Sequence, residues 1–192
     1  LLTDTPSEKS AAEIMIDQGE LETEVGLEVR ALGEGADPYE RRPGLIYGSF
    51  VSGAGDAEVS VPMWTYAPKS VCEERALPAL VVVLHGAGAD ESMFMFGYGR
   101  GLIRDLADEK GFIVASPRAY AMTANPAVFD DLLTAMRARY GVDPSRVYVV
   151  GHSMGAIAAS GLAQARPDSI TAVAAIAGLR LFDAKRVSAP VL

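Results

Sequence analysis

The chain has 192 residues, of which 49% are hydrophobic and 22% are charged, and this composition suits a globular protein with a sizeable core. Its formal net charge of -8 argues against nucleic acid or an anionic membrane as the main partner, because both attract basic surfaces. The single cysteine, Cys72, excludes an intramolecular disulfide, and no apolar run reaches the roughly 18 residues of a membrane span.

The first part of the chain is polar, and we predict an N-terminal extension over residues 1–44 followed by an α/β domain over residues 45–192. Within residues 20–28, glutamates alternate with mostly apolar residues in the sequence ELETEVGLE. That alternation is typical of an edge strand or of a solvated extension with little core of its own, and the charge pattern favours the extension.

An antiparallel hairpin is predicted next. The segments LIYGSFVSG and AEVSVPMWTYAP have the composition of strands, and the glycine-rich sequence between them is typical of a turn. From residue 79 the pattern changes to continuous apolar runs separated by amphipathic segments, starting with ALVVVL, FIVASP, VYVVG and ITAVAAIAG. VSAPVL resembles the start of a fifth such strand. Alternating buried strands and helices predict a mostly parallel sheet in a three-layer α/β sandwich.

The most informative stretch is VYVVGHSMGAIAAS, in which a Gly-x-Ser-x-Gly pattern joins a buried strand to a helix. Such a turn presents the serine hydroxyl above the edge of the sheet, and its flanking positions must be small because strand and helix nearly touch. Ser153 is therefore the candidate nucleophile. The alternative is a glycine-rich turn whose serine only caps the helix.

A second element agrees with this interpretation. His85-Gly86-Ala87-Gly88 follows a buried strand earlier in the chain. Acyl transfer needs two backbone N–H groups directed at the developing oxyanion. We assign them to Met154, which follows the serine, and to Ala87, with His85 and Gly86 in supporting roles.

These motifs resemble the α/β-hydrolase fold, specifically esterases of the polyhydroxybutyrate depolymerase and feruloyl esterase type. LPALVVVLHGAGAD, DPSRVYVVGHSMGA and ITAVAAIAG carry the resemblance, which covers about Val59 to Leu192. It implies a secreted or periplasmic carboxylic ester hydrolase with a Ser-His-Asp triad. Ser153 matches the nucleophile and His85-Gly86 matches the oxyanion-loop dipeptide.

In this fold the triad residues follow one another in the order Ser, Asp, His. No histidine follows Ser153 in this sequence. His85 and His152 are better suited to structural roles than to that of general base. Asp183, after the ITAVAAIAG strand, is a weak candidate for the acid. We therefore expect the catalytic His and Asp beyond residue 192, in a C-terminal part absent from this sequence, or a histidine supplied by a second chain.

The leading hypothesis is a serine esterase that acts on a small-molecule or polymeric ester through an acyl-enzyme, with no cofactor and no metal. A peptidase or acyltransferase would use the same machinery. The alternative from another class is a non-catalytic α/β-hydrolase module that binds a ligand in the same cleft.

Overall fold

A computed structural model describes residues 18–74, 77–178 and 189–192. The chain divides into two compact units, with the division between Glu40 and Arg41. In the first unit, helix α1 spans Gln18–Gly33. The strand alternative for residues 20–28 is therefore wrong. Glu, Leu, Arg and Ala favour helix over strand, and Val25, Val29 and Leu32 share one exposed side at helical spacing.

The second unit contains the remaining helices and strands of the described residues. Its strands are β1 (Gly44–Ser52), β2 (Val59–Ala67), β3 (Ala79–Leu84), β4 (Phe112–Pro117), β5 (Val147–His152) and β6 (Ala172–Ile176). Its helices are α2 (Lys69–Glu73), α3 (Leu102–Lys110), α4 (Ala119–Ala124), α5 (Ala127–Tyr140) and α6 (Met154–Ala165).

The strands form one sheet in the order β1-β2-β4-β3-β5-β6. The first two strands make the predicted hairpin, with Gly44 opposite Ala67 and Ser52 opposite Val59. The β2–β4 pair is also antiparallel, whereas β4, β3, β5 and β6 are parallel neighbours. The predicted fold class, a mostly parallel α/β-hydrolase sheet entered by an antiparallel hairpin, is confirmed.

The last described residues extend this sheet beyond β6. Val191 forms a parallel bridge with Val173, and the Leu192 N–H donates to the Val173 carbonyl at 2.9 Å. The Ala175 N–H donates in turn to the Leu192 carbonyl at 2.9 Å. In the predicted strand VSAPVL, residues 190–192 thus pair in parallel with β6, and residues 187 and 188 lie outside the described residues.

Both faces of the sheet are covered, which explains the continuous apolar runs of β3 and β4. On one face, Leu80 and Val82 pack in a large core with residues of α4, α5 and α6. On the other, Val81 and Val83 pack with Ala107 of α3 and with the helical turn Met93–Gly97. The result is a three-layer sandwich whose parallel strands all end at the same edge.

Helix α3 buries a different side from the one that its sequence pattern indicates. Leu102, Ile103 and Leu106 suggest one apolar side, yet Leu102 is 52% exposed and Leu106 is 37% exposed. Ile103 and Ala107 face the core instead. Residues four apart share a stripe, and the stripe one residue away is rotated by about 100°. The small Ala107 allows a close approach to the sheet that a leucine would block.

Candidate active site

Ser153 occupies the one-residue turn between β5 and α6. Its backbone has φ 54° and ψ -114°, a conformation that non-glycine residues adopt only when the surroundings impose it. Hydrogen bonds hold it on both sides. Its N–H donates to the Ile176 carbonyl at 2.8 Å, and its carbonyl accepts from Ala156 at 3.0 Å and Ile157 at 3.2 Å.

Three glycines allow the chain to pack this tightly around the serine. A Cβ on Gly155 would lie 2.7 Å from the His85 carbonyl oxygen and would overlap the Leu84 carbonyl. A Cβ on Gly151 would lie 2.6 Å from the Ala156 nitrogen, and one on Gly178 would lie 2.5 Å from the Ser153 carbonyl oxygen. Any side chain at these positions would force strand, helix and loop apart.

The loop after β3 lies directly against this turn. A Cβ on Gly86 would lie 3.3 Å from the Ser153 Cβ and 3.1 Å from His152 Nδ1. The next residue, Ala87, is exposed. Within the described residues, neither the Ala87 N–H nor the Met154 N–H donates a hydrogen bond. Two N–H groups without a partner among the described residues, beside the partial positive charge at the N-terminus of α6, are an arrangement that can bind an oxyanion.

His85 is fully buried, and both of its ring nitrogens are occupied. The Ala119 N–H donates to His85 Nε2 at 3.0 Å, so that nitrogen carries a lone pair. His85 Nδ1 lies 2.9 Å from the Gly86 carbonyl oxygen and must therefore be the protonated nitrogen that donates to it. A neutral imidazole fixed in this way cannot take a proton from Ser153, and its contacts instead fix the oxyanion loop.

His152 makes a different contact. Its Nδ1 lies 2.8 Å from the Tyr98 hydroxyl, and the two rings meet edge to face with centroids 5.0 Å apart. Within the described residues, no hydrogen bond joins Ser153 Oγ to either histidine. Asp183, the candidate acid, lies outside the described residues, and nothing in the structure bears on it.

Sequence reasoning missed Tyr120, a 46% exposed side chain in the first turn of α4. Its hydroxyl accepts the Gly88 N–H at 3.2 Å, and its ring meets the His85 ring edge to face at 5.6 Å. No motif surrounds Tyr120, and only the sheet topology brings the end of β4 beside the end of β3. No sequence signal would have identified it.

The buried carboxylate of Glu91 was also not predicted from the sequence. It is 5% exposed, accepts the Tyr47 hydroxyl at 2.9 Å, and contacts the Arg118 guanidinium at 3.4 Å. Ser116 donates its hydroxyl to the Glu91 carbonyl at 2.7 Å. Burial and the hydrogen bond to the Glu91 carboxylate raise the pKa of Tyr47 to about 12. Hydrogen bonds from Ser92 lower the pKa of the neighbouring Asp90.

The apolar run at 92–96 contributes to the core. Phe94 and Met95 are buried against the second face of the sheet, and Phe96 packs against Trp64 with ring centroids 5.2 Å apart. Among the described residues, no cluster of three or more His, Cys, Asp or Glu side chains is arranged to hold a metal ion. None of their helices is long and apolar enough to cross a membrane.

A comparison with known protein families agrees with the strand order, the turn at Ser153 and the adjoining glycine loop. The profile described as "Alpha/beta hydrolase family" matches residues 81–191, which include both loops of the candidate site. The chain belongs to the alpha/beta hydrolase family.

Curated proteins that are similar to this chain are named as esterases. Feruloyl esterase B of Talaromyces stipitatus is 30% identical over 148 residues, which cover 67% of this chain and 39% of that protein. An acetylxylan esterase of Coprinopsis cinerea is 29% identical over 143 residues, which cover 65% of this chain and 36% of that protein. This chain therefore spans about two fifths of the length of the curated relatives it matches.

Solved structures show the same fold. The acetyl xylan esterase from Aspergillus awamori superposes with a TM-score of 0.52 at 23% identity, covering 68% of this chain and 50% of that one.

Proposed function

We propose that this chain provides the nucleophile and the oxyanion hole of a carboxylic ester hydrolase. The observation that carries the proposal is the positive φ of Ser153, at a turn packed against a loop with a free backbone N–H. A protein that needed only a helix cap there would gain nothing from a strained serine. The esterase names of the relatives support the same reaction class.

In the proposed reaction, Ser153 Oγ attacks the ester carbonyl carbon and its proton passes to an imidazole. The carbonyl π electrons move onto oxygen, and the Ala87 and Met154 N–H groups stabilise that oxyanion. Collapse of the tetrahedral intermediate breaks the bond to the alcohol oxygen, which takes the proton from the imidazolium. Water then repeats the sequence on the acyl-enzyme and releases the acid.

The general base in this proposal is neither of the two histidines. Both His85 nitrogens are occupied in the interior, and His152 is paired with Tyr98. The imidazole that takes the proton in this proposal, with the carboxylate that orients it, is therefore supplied by a histidine other than His85 and His152. Without a base, a serine hydroxyl is a weak nucleophile at neutral pH, so the 192-residue chain alone is expected to be nearly inactive.

The proposed substrates are esters of short or aromatic carboxylic acids. The relatives are named feruloyl esterase and acetylxylan esterase, so an aromatic acid and a two-carbon acid are the first acyl groups to try. A synthetic series with one alcohol and different acyl groups would rank them.

The test is hydrolysis of that series by the full-length protein and by Ser153→Ala. Ser160→Ala is the matched control, since it removes a buried hydroxyl from the same helix, where Ser160 Oγ donates to the Ala156 carbonyl at 2.7 Å. We expect Ser153→Ala to lose at least about 10³-fold in kcat and Ser160→Ala to remain within about threefold. Equal hydrolysis by the wild type and Ser153→Ala would overturn the proposal. No hydrolysis by a folded full-length wild type, with a ligand still bound by Ser153→Ala, would favour the binding module.

A further inference from the structure

Four polar contacts among the described residues join the oxyanion loop, residues 85–91, to residues 116–120 at the end of β4 and the start of α4. The Ala119 N–H binds His85 Nε2, and the Gly88 N–H binds the Tyr120 hydroxyl. Ser116 Oγ binds the Glu91 carbonyl, and the Arg118 guanidinium contacts the Glu91 carboxylate. Residues 116–120 therefore hold the segment 85–91 at its two ends and at Gly88.

The contacts nearest Ala87 fix both peptide planes that flank it. The Gly86 carbonyl accepts from His85 Nδ1, and that carbonyl belongs to the same planar peptide as the Ala87 N–H. Because C=O and N–H point in opposite directions across a trans peptide, a carbonyl held toward His85 turns the Ala87 N–H away from it. The next peptide, Ala87–Gly88, is held through the Gly88 N–H by Tyr120.

Tyr120 is the only one of these partners that combines an exposed position with contacts to both sides of Ala87. It is 46% exposed, its hydroxyl binds Gly88, and its ring packs against the His85 imidazole at 5.6 Å. Gly88 has φ 76°, which glycine adopts readily, and the Ala89 N–H donates to the Gly86 carbonyl at 3.3 Å across this turn. The Tyr120 hydroxyl adds a partner for the Gly88 N–H between those two residues.

From these contacts we infer that Tyr120 is a positioning residue for catalysis, which acts by holding the Ala87 N–H in the direction of the oxyanion. The inference rests on the proposed function. Preorganised donors are effective because they need no reorientation during the reaction, and a loop free to rotate loses that advantage. The Tyr120 hydroxyl therefore affects the transition state more than the bound substrate.

The experiment compares Tyr120→Phe with Tyr66→Phe in the full-length protein. The control removes another tyrosine hydroxyl, which donates to Asp108 Oδ2 of α3 at 2.7 Å instead of binding the loop. We expect kcat to fall about 10-fold in Tyr120→Phe with KM within about twofold, and both constants to stay near wild type in Tyr66→Phe. A general loss of structure would not produce this split.

A second measurement needs no variant. Gly88 is an exposed residue whose N–H is bound by the Tyr120 hydroxyl, so hydrogen exchange of this amide in the wild type reports on that bond. We expect exchange at least about 10-fold slower than in an unstructured peptide. Unprotected exchange at Gly88 overturns the inference even where Tyr120→Phe does not fold. Wild-type kcat in Tyr120→Phe also overturns it, while loss of activity in Ser153→Ala keeps the proposed function intact.

Discussion

The backbone N–H of Ser153 donates to the carbonyl of Ile176 at 2.8 Å, which ties the candidate nucleophile to the last residue of β6. Beside this bond, Gly178 approaches the Ser153 carbonyl so closely that a Cβ would lie 2.5 Å from its oxygen. The neighbouring strand thus holds the serine in its strained conformation. A conformation maintained in this way stores free energy that a suitable substitution should release.

Ser153→Gly is therefore expected to be more stable than Ser153→Ala. Both variants lack the hydroxyl, but glycine adopts φ 54° without a steric penalty. Glycine also has the greater entropy in the unfolded chain, which offsets part of this gain. The free energy of unfolding of Ser153→Gly should then exceed that of Ser153→Ala by about 1 kcal/mol. Denaturant titration of both variants measures the difference. A glycine variant that is no more stable than the alanine variant would show that the turn is not strained.

Gly155→Ala should lower the free energy of unfolding by at least about 2 kcal/mol, because its Cβ would overlap the Leu84 carbonyl at the closest approach of α6 to β3. Gly26→Ala is the matched control. It places the same methyl group in helix α1 with no atom within 4 Å, and helix propensity favours alanine there. Thermal or chemical unfolding measures both. Similar behaviour of the two variants would contradict the close packing described for Gly155.

His152→Phe is expected to keep ester hydrolysis within about fivefold of wild type. The phenyl ring preserves the edge-to-face contact with Tyr98, and only the Nδ1 hydrogen bond is lost. Steady-state kinetics of the full-length protein measure the effect. A loss of 10³-fold or more, with the fold intact, would instead identify His152 as the general base.

His85→Ala should behave differently from His152→Phe. It leaves the buried Ala119 N–H without an acceptor and leaves the Gly86 carbonyl with the Ala89 N–H alone, so both the free energy of unfolding and kcat should fall. The expected loss of stability is about 2–4 kcal/mol, since a buried side chain and two hydrogen bonds disappear. Unfolding curves and kinetics measured on the same sample check this. Wild-type stability in His85→Ala would refute the structural role given to this histidine.

The stability of the protein should depend on Tyr47 at high pH. Its folded pKa of about 12 lies above the ordinary value of 10.0, because burial and the Glu91 carboxylate favour the neutral phenol. A raised pKa stabilises the fold fully below pH 10, and that stabilisation is lost as the pH rises from 10 to 12. Wild type should therefore lose its stability advantage over Tyr47→Phe across this window. A difference between the two that is constant from pH 9 to pH 12 would contradict the assignment.

The sequence alone predicts the features that depend on local chemistry. The valines of ALVVVL have no polar alternation, which indicates a strand covered on both sides, and Val82 is fully buried. Gly151 and Gly155 flank a serine between a strand pattern and a helix pattern, and the structure places them at the closest packing of the site. These features can be predicted because each depends on residues that are close together in the sequence.

Features that depend on distant packing were not predictable. Alternation of Glu with apolar residues in α1 fits both a strand and a helix over so short a stretch, and intrinsic propensity decided for helix. The orientation of α3 depends on Ala107 fitting against the sheet. Tyr120 and Glu91 contribute to the site only because β4 pairs beside β3, and nothing in their own segments indicates that neighbour.

The central claim is that Ser153 is an activated nucleophile beside a formed oxyanion hole. A fluorophosphonate reagent, which forms a bond from serine Oγ to phosphorus with loss of fluoride, tests it most directly when the modified peptide is mapped by mass spectrometry. We expect a single adduct on the peptide that contains Ser153 in the full-length protein, and none in Ser153→Ala. A folded full-length protein that forms no adduct, or one whose adduct persists in Ser153→Ala, would contradict it.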